Sequence, residues 1–313
     1  MAKKMVDNIY DAGGRIVKNQ SHILNEEMSK EAKKIKPENA DTSIFNVIKK
    51  NMMSFKDEVK LKSYVEKKKM VYISTPFSIL AAKRLNDLKV KLFKIGSGEF
   101  NNFPLLNEIV KYKKPIILST GMNNIKSIRE TVNFLKKKNV DFMLMHCVSD
   151  YPVKDKDLQL GFISTLKKKF PQLIIGYSDH SKTIIPSIAA ISLGAKVIEK
   201  HFVLSKNQIG PDVVCSMDKN DLQLLIKASD IFYKKKDKTR IVTEGEKKTA
   251  KFAFASVVSI KNIKKGEIFN KNNIWVKRPG TGHFSAKKFY KIIGKISKNN
   301  ILKDTQLKKS DVS

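Results

Sequence analysis

The sequence predicts an α/β fold: a (β/α)8 barrel of the TIM type that lacks its first strand, followed by a small, mainly β domain. Three observations carry this. Seven short apolar runs recur, each followed by a polar or small-residue turn and then a stretch of helical spacing. Only a helical segment, residues 2–11, precedes the first run, where a βα repeat would begin with a strand. Near residue 235 the repeat gives way to a charged stretch and then to short alternating runs.

In chain order the runs are residues 15–20 (RIVKNQ), 70–75 (MVYIST), 91–97 (KLFKIGS), 115–120 (PIILST), 141–147 (DFMLMHC), 173–178 (LIIGYS) and 196–202 (KVIEKHF). Each has the length of a buried strand, and most are rich in β-branched or aromatic residues. Residues 126–137 and 186–193 between them have helical spacing, and strand–helix alternation at this interval implies a parallel sheet. The longest gap, between 20 and 70, holds two helical patterns, 25–36 and 54–67, and is expected to form an enlarged loop plus a helix. The strand missing before residue 15 leaves two options: the fold closes without it, or the chain begins late. Residues 234–251 are charged, with a Thr-Glu-Gly turn and little periodicity. The expected division is therefore a barrel over 1–235, a linker over 236–251 and a β domain over 252–313.

The chain of 313 residues has room for a large and a small domain, and its 41% apolar content suffices for a core. No stretch approaches the roughly 20 apolar residues of a membrane span, and the N-terminus has no apolar signal core. Two cysteines, Cys147 and Cys215, do not make a disulfide framework, so a cytoplasmic location is expected. The net charge of +32 would suggest nucleic acid, yet nearly all the basic residues are lysine. Arginine stands only at Arg15, Arg84, Arg129, Arg240 and Arg278, and base readout favours arginine. The lysines fall in short clusters at helix ends, the pattern of a solvated surface. Neither a nucleic-acid nor a membrane partner is expected, although the field could concentrate an anionic substrate.

Chemistry in a βα barrel collects at the C-terminal ends of the strands, and polar residues stand there at every run. They are Lys18, Gln20 and His22; Ser74 and Thr75; Lys94, Ser97 and Glu99; Ser119 and Thr120; His146, Ser149 and Tyr151; Ser178, Asp179 and His180; Glu199, Lys200 and His201. Lys18 and Lys94 lie inside apolar runs, so burying them requires an anionic partner. Two lysines with several hydroxyls make a cradle for a phosphate and a carboxylate; the alternative is that both lysines snorkel to the rim. His180 and His201 end adjacent strands, which suits a divalent Lewis-acid metal with open positions, although a lone His pair is more often structural. Asp179 and Glu199 are near enough to support the ligands or handle protons. Asp212, in Gly210-Pro211-Asp212, offers a further carboxylate at the mouth, or is a turn residue.

These strings together resemble the sialic acid (N-acetylneuraminate) synthase family, which includes the legionaminic and pseudaminic acid synthases. The matching segments are IVKNQSHILNEEMS (16–29), YISTPFS (72–78), FKIGSGEFNNFPLL (93–106), LSTGM (118–122), GYSDHS (176–181), IEKHF (198–202), GPDVVCSMD (210–218) and IWVKRPGTG (274–282). The resemblance implies a barrel followed by an antifreeze-like (SAF) domain, in a homodimer whose SAF domains reach the partner's active site. It implies condensation of phosphoenolpyruvate with N-acetylmannosamine to give N-acetylneuraminate and phosphate, with manganese or magnesium. By position, Lys18, Thr75, Lys94, Ser97, Ser119, Ser149 and Ser178 would hold phosphoenolpyruvate, with Ser149 standing where some members have asparagine. His180 and His201 would hold the metal, and Gln20, Glu99, Tyr151 and Asp212 would line the sugar site. Arg278 would reach the sugar's acylamino group in the other subunit. Members normally begin with a strand carrying a Glu-Ile-Gly-x-Asn-His-Asn-Gly-like motif, whereas this sequence starts in the helix after it. On that ground the chain alone is expected to be poorly stable and weakly active, from a misassigned start or a truncated gene. The other expectations are a legionaminic or pseudaminic acid synthase, or a non-catalytic sugar- or phosphate-binding relic.

Overall fold

Every one of the seven apolar runs forms a strand: β1 (Ile16–Ser21), β2 (Val71–Pro76), β3 (Phe93–Ile95), β4 (Ile116–Ser119), β5 (Phe142–Cys147), β6 (Ile175–Asp179) and β7 (Ile198–Lys200). They pair in parallel, in chain order from β1 to β7. The computed structural model describes residues 1–37, 40–234 and 239–313. The chain divides into two units, Met1–Lys236 and Asp237–Ser313.

In the first unit the helices are α1 (Ala2–Asp11), α2 (Leu24–Glu27), α3 (Ile44–Asn51), α4 (Phe55–Lys67), α5 (Ile79–Asp87), α6 (Phe103–Ile109), α7 (Ile125–Lys137), α8 (Gly161–Lys169), α9 (Ile185–Ser192) and α10 (Lys219–Lys234). Strand side chains alternate between faces. One set, including Tyr72, Phe93, Ile95, Leu118, Leu144 and Tyr177, forms a single core with Leu61, Leu85, Val132 and Leu166 of the helices. The other set, including Lys18, Lys94, Ser119 and Ser178, faces the inside of the curl. The curl is tight enough that Lys18 Nζ on β1 lies 3.4 Å from Glu199 Oε1 on β7, the two ends of the sheet.

The connections into β2, β3, β4 and β5 each pass through a left-handed residue: Lys69 (φ 56°), Lys89 (φ 57°), Lys113 (φ 52°) and Asn139 (φ 51°). This conformation ends a helix and turns the chain back to the sheet, and three of the four positions use lysine at some steric cost. At the turn into β1, a Cβ on Gly14 would stand 2.5 Å from Ile9 Cγ2 and 2.9 Å from the Ile9 carbonyl oxygen, so only glycine fits.

Two helical expectations need correction. Residues 25–36 are not one helix: α2 stops at Glu27, Met28 and Ser29 are extended, and Ser29 then caps a 3-10 turn, Lys30–Lys33. Helix α3, capped by Ser43, was not foreseen in the same insertion.

In the second unit β8 (Ser256–Ser259) pairs antiparallel with β9 (Ile274–Lys277). Val257, Ile263, Phe269, Ile274, Phe289, Ile301 and Leu307 form a separate core, closed by the short α12 (Phe289–Ile292). Of the expected linker, residues 236–238 lie outside the described residues, and the remainder is not wholly irregular. It holds α11 (Glu244–Ala253), whose start is a reciprocal capping box between Thr243 and Glu246.

Candidate active site

The anionic centre of the pocket is Glu199. Its Oε1 lies 3.4 Å from Lys18 Nζ and 3.4 Å from Lys94 Nζ, and accepts a hydrogen bond from Ser178 Oγ at 2.9 Å. Four residues from β1, β3, β6 and β7 therefore meet at one carboxylate oxygen. Burial alone would raise the Glu199 pKa, but the two ammonium groups outweigh it and hold the carboxyl well below the usual carboxylate range. Lys94 is only 2% exposed, which rules out the rim position for that lysine. It donates to Ser119 Oγ at 2.7 Å and to the Ile95 carbonyl at 3.2 Å. Its pKa is lowered, first by burial, with Glu199 opposing and Lys18 adding to the effect.

The hydroxyls converge as expected. Ser97 Oγ, at the start of the 3-10 turn after β3, accepts from Gly121 N at 3.0 Å. A Cβ on Gly121 would stand 2.6 Å from Ser97 Oγ and 2.2 Å from Ser149 Oγ, so both serines close on the same glycine. Among the described residues Thr75 Oγ1, on β2, is buried with no hydrogen-bond partner. Buried hydroxyls are normally paired, so an orphaned donor among lysines and serines fits an anionic ligand. Gln20, exposed on β1, stands opposite Thr75 in register.

His180 and His201 approach with ring centroids 5.5 Å apart, and Tyr151 lies 4.1 Å from the His180 ring and 6.1 Å from that of His201. His180 Nδ1 lies 2.9 Å from the Val148 carbonyl, to which its N–H donates, so in the neutral ring the lone pair is on Nε2. Burial opposes protonation of His180, but Cys147, with Sγ 3.8 Å from Nδ1, together with Val148 raises its pKa on balance. Burial and the Lys18 charge push the His201 pKa down to about 3, which keeps a neutral imidazole. Asp212 Oδ2 is 3.8 Å from His201 Nδ1, and burial raises its pKa. Burial likewise raises the pKa values of Tyr151 and of Glu99, which also accepts from Asn102. Among the described residues no group of three or more His, Cys, Asp or Glu side chains is arranged to hold a metal. Two neutral-capable imidazoles fit an ion whose remaining positions go to water and substrate oxygens.

A cleft of about 1260 Å³ opens beside these residues, lined by Ser149, Tyr151, Gly210, Pro211, Lys50 and Lys154 among others. It gives the pocket room for a sugar-sized molecule.

Two sequence expectations change. His146 does not face the pocket: its Nε2 donates to the Leu158 carbonyl at 2.9 Å, and its ring packs on Phe162 and Tyr177 in the outer layer. Asp179 does not share the pocket with Glu199. It pairs with Lys200 at 3.1 Å on the opposite face, both side chains fully buried. Arg278, by contrast, stands in the second unit, where the resemblance places it, and is exposed there. Period-2 alternation carries the signal for His146 and for the Asp179–Lys200 pair: Cys147 and Glu199 face in, so His146 and Lys200 face out.

Residues 5–239 match the family model described as the NeuB family, and residues 254–313 match the SAF domain. The chain is 38% identical over 312 residues to an N,N'-diacetyllegionaminic acid synthase of Campylobacter jejuni, covering 97% of this chain and 93% of that protein. It is 34% identical to a pseudaminic acid synthase of Helicobacter pylori, covering 76% of this chain and 70% of that one. Among solved structures, an N-acetylneuraminic acid synthetase from Leptospira borgpetersenii, in complex with citrate, superposes with a TM-score of 0.71 at 29% identity, over 79% of this chain and 84% of that one. With its first unit matched by the family model and its second by the SAF domain that follows, the chain belongs to the NeuB family of sialic acid-type synthases.

Proposed function

We propose that the chain condenses phosphoenolpyruvate with N-acetylmannosamine to give N-acetylneuraminate and phosphate. The observation that carries this is the meeting of Lys18, Lys94 and Ser178 at Glu199, beside two imidazoles and an orphaned Thr75 hydroxyl. The lysines, with Thr75, Ser97, Ser119, Ser149 and Ser178, hold the phosphate and carboxylate of phosphoenolpyruvate. Manganese or magnesium, held by His180 and His201, supplies Lewis-acid polarisation of the sugar aldehyde when bound.

C3 of phosphoenolpyruvate forms the new bond to the aldehyde carbon, whose oxygen takes up a proton. Water adds at C2, giving up a proton, and cleavage of the C2–O bond releases phosphate. Fixed cations stabilise the anion through both steps. Glu99, Tyr151, Asp212 and Gln20 line the sugar side. Glu99 and Asp212, with pKa values raised by burial, are suited to exchanging protons with the sugar. In a homodimer, Arg278 of one subunit would meet the acylamino group bound by the other.

A second reading, a 2,4-diacetamido sugar as acceptor, is favoured by the 38% identity to the legionaminic acid synthase. Metal-dependent phosphate release from phosphoenolpyruvate, measured with each sugar, tests both readings. Turnover with N-acetylmannosamine that collapses in His201→Ala is expected. Preference for the diacetamido sugar selects the second reading, release with neither sugar refutes both, and equal rates for the two proteins remove the metal role.

A further inference from the structure

We infer that Glu58, on α4 and outside the pocket, is a positioning residue for the phosphoenolpyruvate cradle; the inference rests on the function proposed above. Glu58 is 2% exposed although it lies in a helix facing the outside of the sheet. Its carboxylate accepts from Asn19 Nδ2 at 3.3 Å, Ser21 Oγ at 2.8 Å, Tyr72 OH at 2.9 Å and Ser74 Oγ at 2.9 Å. These four partners are all uncharged. Burying a carboxylate among neutral groups is costly, and several good hydrogen bonds are what make it tolerable. Packing alone would be served by leucine at lower cost, so this arrangement calls for another explanation.

The positions of the donors supply it. Asn19 and Ser21 belong to β1, and Tyr72 and Ser74 to β2. On the opposite face of the same strands stand Lys18, just before the first β1 donor, Gln20, between the two β1 donors, and Thr75, directly after Ser74. The register pairs Asn19 with Ser74 and Gln20 with Thr75. Because side chains alternate, holding residues 19, 21, 72 and 74 from behind fixes the height and tilt of residues 18, 20 and 75 in front. Glu58 ties the two strand ends together at the level where the cradle begins. A small relative shift of the strands would move a lysine and a threonine away from a ligand that Lys94 and Ser119 hold from β3 and β4.

The test is steady-state phosphate release together with calorimetric binding of phosphoenolpyruvate, well below each protein's melting temperature, for the unaltered protein, Glu58→Leu and Glu58→Gln. Loss of a supporting hydrogen-bond partner commonly costs about 10–100-fold in binding or activity. Glu58→Leu is expected to raise the KM and Kd for phosphoenolpyruvate by that factor, with Glu58→Gln, which keeps one acceptor oxygen, recovering part of it. A merely structural role would lower the amount of active protein and leave KM unchanged, and that outcome overturns the inference. If Glu58→Leu does not fold, Ser21→Ala/Ser74→Ala removes two of the four donors, and unchanged KM and Kd there overturn it equally. Unaltered protein that binds phosphoenolpyruvate without turnover sinks the proposed function alone, leaving Kd to decide the role of Glu58. Protein that neither binds nor turns over sinks both.

Discussion

Replacing Lys94 by methionine separates folding from ligand binding, because the two respond to this side chain with different magnitudes. In the free protein Lys94 is almost fully buried and shares Glu199 with Lys18. At 3.4 Å its attraction to Glu199 is about 5 kcal/mol for an effective dielectric near 20. Against that stands a desolvation cost of several kcal/mol for a buried ammonium. Lys18 and Ser178 still hold Glu199 in the variant, so no charge is left wholly unpaired. The net change in stability is therefore about 1–2 kcal/mol in either direction, and the melting temperature moves by only a few degrees.

Binding has no such compensation. A buried cation facing a ligand anion is worth about 2–5 kcal/mol, or a 30-fold to several-thousand-fold loss of phosphoenolpyruvate affinity on removal. Calorimetric titration and thermal denaturation of the same preparations measure both quantities. A folded Lys94→Met protein that binds phosphoenolpyruvate within about threefold of the unaltered protein would refute the cradle. Affinity lost only in step with unfolding would refute it as well.

The other expectations are separate in space. Lys200→Met strands the buried Asp179 carboxylate, with Ser187 Oγ, Ser181 N and Tyr177 OH as its remaining partners, and should cost about 3–5 kcal/mol in urea unfolding. Asp179→Asn/Lys200→Met should recover much of that loss. Gly121→Ala should leave the fold intact, since the two closest atoms are serine hydroxyls that can rotate and Ser97 Cβ, at 3.1 Å, need give by only a few tenths of an ångström. Losing their placement should weaken phosphoenolpyruvate binding by about 1.5–3 kcal/mol in calorimetry. Lys113→Gly removes left-handed strain at φ 52° and should raise stability by about 0.5 kcal/mol after the entropic cost of glycine, read from the denaturation midpoint. Glu246 is held at about 2 by its hydrogen bonds to Arg240 and Thr243. Its folded pKa is depressed, so the support it gives to the start of α11 is complete above about pH 4.5 and is lost as pH falls towards 2. Titration of its carboxyl resonance checks this, and Arg240→Gln should raise the midpoint.

The barrel-like unit was legible because its strands are short apolar runs at regular intervals, a signal that survives without tertiary context. Lys18 and Lys94 were legible for the opposite reason, as charges where a strand should be apolar. Glu58 was not. It sits in KDEVKLK, where acids and lysines alternate as on any solvated helix, and only the hydroxyls of β1 and β2 behind it show that it is buried. Nor was the pairing of Asp179 with Lys200 foreseen, since it depends on the register of two strands that are 21 residues apart at that pair. Helix α11 was missed because its stability begins at a capping box, while its interior, EGEKKTAKFA, has little apolar periodicity. Helix α3 lies inside an insertion whose length suggested a loop. In each case the deciding interaction was polar and local or polar and distant, and hydrophobic spacing reports neither.

A buried carboxylate at the centre of an anion site needs a physical reason. Lys18 and Lys94 both reach one oxygen of Glu199, which places two ammonium groups close together in a largely dehydrated pocket. Without a counter-charge the two cationic side chains would repel each other at that distance. Glu199 offsets that repulsion and holds both lysines in place before the ligand arrives. The hydroxyls of Ser97, Ser149 and Thr75 then supply neutral donors that need no counter-charge of their own. Such a site gives up some attraction for the phosphate in exchange for geometry already set, which is the condition under which fixed dipoles and charges stabilise a reacting anion most. It follows that Glu199 and the ligand compete for the same two cations, so removing Lys94 weakens the ligand's hold more than it weakens the fold.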